Sequence, residues 1–126
     1  MNLARSPPVV LVLDDHALLL SALRRLVRGQ PVRLVTAETT SEAFAVLDRE
    51  AVAVVVSDYQ LGSGDLDGLT FLRLVHAQRP NALLFLSTGT TAAPQAGLGI
   101  GVLPKPMVLE DLMRAVAGLE EAVPSP

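Results

Sequence analysis

Four short apolar runs, each closed abruptly by polar residues, constrain this chain more than any other feature. Val9–Leu13 stops on Asp14-Asp15, Val54-Val55-Val56 on Ser57-Asp58, Ala82–Leu86 on Ser87-Thr88, and Ile100–Pro104 on Lys105. A run as apolar as Val54-Val55-Val56 reads as a strand buried on both faces, as in a parallel sheet, and the other three end the same way. In such a sheet all strand carboxyl ends lie along one edge, which is where open α/β sheets bind ligands. The pattern therefore gathers one site from Asp14, Asp15, Asp58, Lys105 and the hydroxyl of Thr88. Ser87 takes the place of Thr88 if the strand register slips by one.

The segments between the strands carry helical periodicity. Leu19, Leu23, Leu26 and Val27 give one apolar face to a helix over 16–28, and Gly29 is placed to stop it. Val32–Ala37 is half polar, which suits an edge strand. Thr39 followed by Glu42 has the form of a capping box, opening a helix over 40–50 with Ala43, Val46 and Leu47 inward. Ala51–Ser57 is the central strand and 60–68 a loop rich in Gly and Asp. Leu69, Leu72 and Val75 then face the sheet from a helix that Pro80-Asn81 terminates. A final helix carries Leu109, Leu112, Val116 and Leu119, with Glu110 and Asp111 in its first turn, where the helix dipole favours acidic groups. Strands alternating with helices predict βαβ units. The expected organisation is an extension over 1–8, one domain over 9–119, and a tail or the start of a linker over 120–126.

Composition narrows the function. With 126 residues the chain can bury a core without staples, and the absence of cysteine excludes disulfides, a zinc-thiolate site and a cysteine nucleophile. No apolar run approaches the roughly 18 residues of a membrane span, and nothing before Pro7-Pro8 resembles a signal peptide. A cytoplasmic location follows as the expectation. A net charge of −3 and 3% aromatic residues argue against direct nucleic-acid binding. Gly97-Leu-Gly99-Ile-Gly101 lacks the order of a dinucleotide fingerprint, and the loop 61–68 has no Gly-Lys-Ser/Thr for a P-loop. Lys105 is the only lysine among ten cationic residues, a compact ammonium where the chain otherwise uses arginine.

Taken in order, Val-Leu-Asp14-Asp15-His, Val-Ser-Asp58-Tyr-Gln, Asp67-Gly68-Leu, Ser-Thr88-Gly and Leu-Pro-Lys105-Pro106 resemble the receiver domain of two-component response regulators. The resemblance runs from about Val9 to Leu119. It implies a CheY-like, flavodoxin-like fold: a three-layer αβα domain whose five parallel strands follow the order 2-1-3-4-5. It also implies that Asp58 accepts a phosphoryl group from a sensor histidine kinase or a histidine phosphotransfer protein. Close packing of Asp14, Asp15 and Asp58 would resist full ionisation, and a hard divalent cation such as Mg²⁺ relieves that repulsion. By resemblance Asp15 and Asp58 ligate Mg²⁺, Asp14 acts through water, and the backbone carbonyl of Gln60 adds an oxygen. Lys105 and Thr88 are suited to holding the phosphoryl oxygens, and Gly89 leaves room for the group to enter. The Lys105-Pro106 bond is expected to be cis. The chain would catalyse only its own phosphorylation and dephosphorylation, and would signal through an unidentified protein partner.

The sequence also departs from that family. Sixteen residues separate Thr88 from Lys105, and Pro94, Gly97 and Gly99 fall among them, so the fourth helix of the family is expected to be shortened or irregular. The loop after Asp58 is longer than usual, and Val102 stands where the family carries an aromatic switch residue. A receiver-like interaction module that works without phosphorylation is the alternative reading. A phosphatase-type hydrolase would need a general acid and a substrate pocket that the sequence does not display. Asp14-Asp15 could serve only as helix caps, Asp67 shapes the loop into its helix, and His16 and His76 read as solvated surface residues, with His16 near the mouth of the site but without the second histidine that a metal role would want.

Overall fold

The computed structural model describes residues 6–89 and 99–122. The elements are β1 (Val9–Leu13), α1 (Ala17–Leu26), β2 (Arg33–Ala37), α2 (Thr40–Arg49), β3 (Val52–Asp58), α3 (Gly68–Gln78), β4 (Leu83–Thr88), β5 (Gly101–Pro104) and α4 (Leu109–Ala122). All pairings are parallel, in one sheet of order β2-β1-β3-β4-β5. This is the expected flavodoxin-like order. The shortened helix expected between Thr88 and Lys105 falls on residues 90–98, outside the described residues. The final helix continues to Ala122, past the boundary expected near Leu119.

Alternation along the strands divides the core into two layers. Leu11, Leu13, Val55, Leu84 and Leu86 pack with Ala43, Val46, Leu47, Phe71, Leu72 and Val75 of α2 and α3. Val10, Val12, Val54, Val56 and Leu103 point the other way, to Leu20, Leu23, Leu112 and Ala115 of α1 and α4. Because side chains alternate across a strand, the sheet needs apolar residues at every position of its centre. This accounts for the unbroken valines of β3.

Local sequence sets the helix ends. Asp67 caps α3, its carboxylate accepting from Thr70 N at 2.8 Å and Thr70 Oγ1 at 3.0 Å. Thr39 Oγ1 caps α2 by accepting from Glu42 N at 3.1 Å, but Glu42 reaches back to Glu38 N at 3.0 Å and not to Thr39 N. The reciprocal half of the capping box is thus displaced by one residue. Gly29 follows α1 at φ +79°, where a Cβ would be strained.

Helix α1 is rotated from the expected face. Leu20, Leu23 and Val27 are buried, whereas Leu26 is 46% exposed and Leu18 87%. The run Leu18-Leu19-Leu20 satisfies helical spacing in more than one rotation, and packing against β1 and β3 selects Leu20. Among the described residues, no helix is long and apolar enough to cross a membrane.

Candidate functional site

The nucleophile candidate is held by the sheet itself. Strands β3 and β4 run further than the sequence reading placed them, so that Asp58 and Thr88 are the last residues of their strands. Asp58 lies beside Ser87 in the ladder, and Thr88 beside Pro104. On the other side Leu13 pairs with Ser57, which sets Asp14 next to Asp58. The site therefore sits where β1 and β3 diverge, the point at which strand order reverses.

Backbone contacts tighten this end of β3. Ser57 Oγ donates to the Asp58 carbonyl at 2.9 Å, and Tyr59 N donates to Ser87 O at 3.2 Å. Gly68 N donates to Tyr59 O at 2.7 Å, which brings the start of α3 against the strand. A Cβ on Gly68 would lie 1.9 Å from the Asp58 carbonyl oxygen, so only glycine permits this approach.

Opposite charges converge above the strand ends. Lys105 Nζ is 2.7 Å from Asp58 Oδ1 and 3.9 Å from Asp14 Oδ2. Its backbone N donates to Thr88 O at 3.0 Å, and the Lys105-Pro106 bond is cis, as expected. Asp14 and Asp58 are 3% and 5% exposed, whereas the Asp15 side chain is 36% exposed. Ligand atoms of Asp14, Asp15, His16 and Asp58 all lie within 4.8 Å of one another. Three carboxylates so close carry more negative charge than one ammonium offsets. Their hard oxygen donors, with those of Asp15 and Asp58 lining a solvent-open cleft, fit Mg²⁺.

Gln60, Thr88 and Gly89 line the same cleft of about 480 Å³, together with Asp15, Asp58 and Lys105. Thr88, and not Ser87, is the hydroxyl on the cleft wall. Asp14 also accepts from His16 N at 2.9 Å, so it supports the start of α1 as well as the acidic cluster. Asp67 shapes the loop into α3, as expected, and does so as its N-cap.

His16 lies at the mouth of the site, as expected. Its side chain is 70% exposed, as a surface residue should be, but its Nδ1 is 3.0 Å from Asp14 Oδ1 and 3.3 Å from Asp15 Oδ1. The hydrogen bond to Asp14, reinforced by the charges of Asp14 and Asp15, raises its pKa above the ordinary imidazole value. Its position directly after the aspartate pair was the available signal.

Comparisons with known proteins agree with this geometry. A family model described as the response regulator receiver domain matches residues 10–117. The chain is 30% identical over 122 residues to the photosynthetic apparatus regulatory protein RegA of Rhodobacter capsulatus, covering 93% of this chain and 65% of that protein. It is 28% identical over 130 residues to the transcriptional regulatory protein GlrR of Escherichia coli K12, covering 98% of this chain and 29% of GlrR. The chain thus spans less than a third of GlrR and just under two thirds of RegA. Among solved structures, the signal receiver domain of an HD domain-containing protein from Pseudomonas fluorescens Pf-5 superposes with a TM-score of 0.80 at 27% identity, over 93% of this chain and 96% of that one. A CheY-like receiver domain from Methanospirillum hungatei JF-1 gives a TM-score of 0.80 at 22% identity, over 93% and 97%, a likeness of fold.

Proposed function

The chain belongs to the response regulator receiver domain family, and from that premise we propose that it accepts a phosphoryl group on Asp58, in a Mg²⁺-dependent reaction, from a phosphohistidine of a sensor histidine kinase or histidine phosphotransfer protein. The observation that carries the proposal is the 2.7 Å pair between Lys105 Nζ and Asp58 Oδ1 within the carboxylate cluster of an open cleft. An Asp58 carboxylate oxygen attacks phosphorus, the P–N bond to the donor imidazole breaks, and the imidazole nitrogen takes up a proton. The product is an aspartyl-phosphate. Phosphoryl transfer of this kind depends mainly on positioning and charge stabilisation.

Each residue then has a role. Asp58 and Asp15 would hold the cation directly and Asp14 through water, and the Gln60 backbone carbonyl would add an oxygen. The cation, when bound, would offset negative charge on the phosphoryl oxygens. Lys105 pairs with Asp58 before transfer and with a phosphoryl oxygen after it. The Thr88 hydroxyl donates to another phosphoryl oxygen, and Gly89, without a side chain, keeps the entrance open. Movement of Thr88 toward the phosphate changes contacts with a protein partner. Residues 9–119 form this receiver unit, which works in the cytoplasm, binds no nucleic acid itself and turns over no substrate besides its own phosphate.

Incubation with Mg²⁺ and acetyl phosphate, followed by intact-mass measurement, tests the proposal. Gain of one phosphoryl group by the wild type, lost in Asp58→Asn and without Mg²⁺, is the expected result. No gain under any condition would favour the phosphorylation-independent interaction module, and a gain that survives Asp58→Asn would refute the assignment.

A further inference from the structure

The long loop between β3 and α3 is anchored to a helix remote from it in sequence. Thr40 N, a first-turn amide of α2 that has no acceptor within the helix, donates to Asp65 Oδ2 at 3.0 Å, and the Thr40 hydroxyl donates to Asp65 Oδ1. Leu66 N adds a third hydrogen bond to Asp65 Oδ1 at 2.8 Å. Thr40 is 8% exposed, so its hydroxyl is directed at Asp65 from a largely buried position.

Local sequence delivers Asp65 to that contact. Asp65 N donates to Gly62 O at 3.0 Å, closing a four-residue turn in which Gly64 has φ +83°. Gly68 N to Tyr59 O ties the loop at its base, and Asp65 ties its far side. Gln60 lies between the two ties and lines a small cleft together with Asp65. A backbone carbonyl cannot be aimed by a rotamer, so its direction depends on where its loop is fixed.

We infer that Asp65 is a positioning residue for the phosphorylation site, aiming the Gln60 carbonyl through its contact with Thr40 and thereby setting the affinity for Mg²⁺. This rests on the proposed role of the Gln60 carbonyl as a metal ligand. Groups that orient metal ligands typically alter affinity by about 10- to 100-fold when removed. Asp65 belongs neither to the acidic cluster nor to the lining of the site cleft, so its effect falls on binding and not on the step itself.

Tyr59 provides the readout, because it lines the cleft and the chain has one Tyr and no Trp. Titration of Tyr59 fluorescence with Mg²⁺ alone is compared for wild type, Asp65→Ala, Asp65→Asn and Arg79→Ala. Arg79 donates to Leu47 O at 2.6 Å away from the site and controls for loss of stability. The half-saturating Mg²⁺ concentration should rise about tenfold in Asp65→Ala, less in Asp65→Asn, and not in Arg79→Ala. Phosphorylation by acetyl phosphate at saturating Mg²⁺ should stay within about twofold of wild type in both Asp65 variants. Unchanged half-saturation in a folded Asp65 variant, or a rise matched by Arg79→Ala, would overturn the inference. Should the wild type itself bind no Mg²⁺, the failure lies in the underlying reading of the site.

Discussion

Replacement of Gly68 by alanine tests how tightly α3 and the end of β3 depend on each other. The added Cβ would start 1.9 Å from the Asp58 carbonyl oxygen and 2.8 Å from its carbon, when real Cβ contacts essentially never fall below 3.0 Å. Both atoms belong to the backbone of a paired strand, so no side chain can rotate out of the way. Relief requires α3 to withdraw, which breaks the 2.7 Å hydrogen bond from Gly68 N to Tyr59 O. Overpacking costs about 1–3 kcal/mol, and an immobile neighbour places this case near about 3 kcal/mol. At about 4 °C per kcal/mol for a domain of this size, the thermal midpoint should fall by about 12 °C. Gly62→Ala is the control, because its Cβ would meet nothing within 4 Å and its φ is not positive. It should stay within about 0.5 kcal/mol of wild type. Thermal and urea unfolding followed by circular dichroism measure both variants. Equal stability of Gly68→Ala and Gly62→Ala would refute the close-approach argument.

Two further predictions concern charge. Lys105→Ala removes the ammonium 2.7 Å from Asp58, and phosphorylation by acetyl phosphate at saturating Mg²⁺ should slow by about 10²-fold, the usual effect of deleting one preorganised stabilising group; a rate within threefold of wild type would contradict the role given to Lys105. For Asp65, burial alone would push the carboxyl up, but hydrogen bonds from the Thr40 hydroxyl and the Thr40 and Leu66 amides outweigh it and hold the folded pKa below the ordinary value. Its contribution is therefore fully present above the unfolded value, near about 3.9, and is lost as pH falls through the lower folded value. The stability difference between wild type and Asp65→Asn, measured by urea unfolding, should shrink on acidification through that window, and a difference that grows there would contradict the assignment.

The parts of the fold that local pattern controls were legible in the sequence. Short apolar runs identify the strands, the valine-rich one of β3 as buried on both faces, and their polar ends locate Asp14, Asp58 and Lys105 on one edge because parallel strands share a direction. The rotation of α1 was not legible, since three consecutive leucines fit several faces and only contact with the sheet selects Leu20. Phe71 escaped the reading of α3 because its partner is Phe44 of α2, 5.2 Å away between ring centroids. Asp65 bonds Thr40 across 25 positions, a contact that no local periodicity encodes. His16 looked like a surface residue and is one by exposure, but the turn from β1 into α1 folds its ring back onto the aspartates.

Chemical trapping identifies the residue that carries the phosphoryl group, here assigned to Asp58. The protein is phosphorylated by a phosphohistidine donor with Mg²⁺, reduced with borohydride to convert the aspartyl-phosphate to homoserine, and mapped by peptide mass spectrometry. The account predicts homoserine at position 58 and intact aspartate at positions 14, 15 and 65. Homoserine at any of those three positions, with position 58 unmodified, would contradict it.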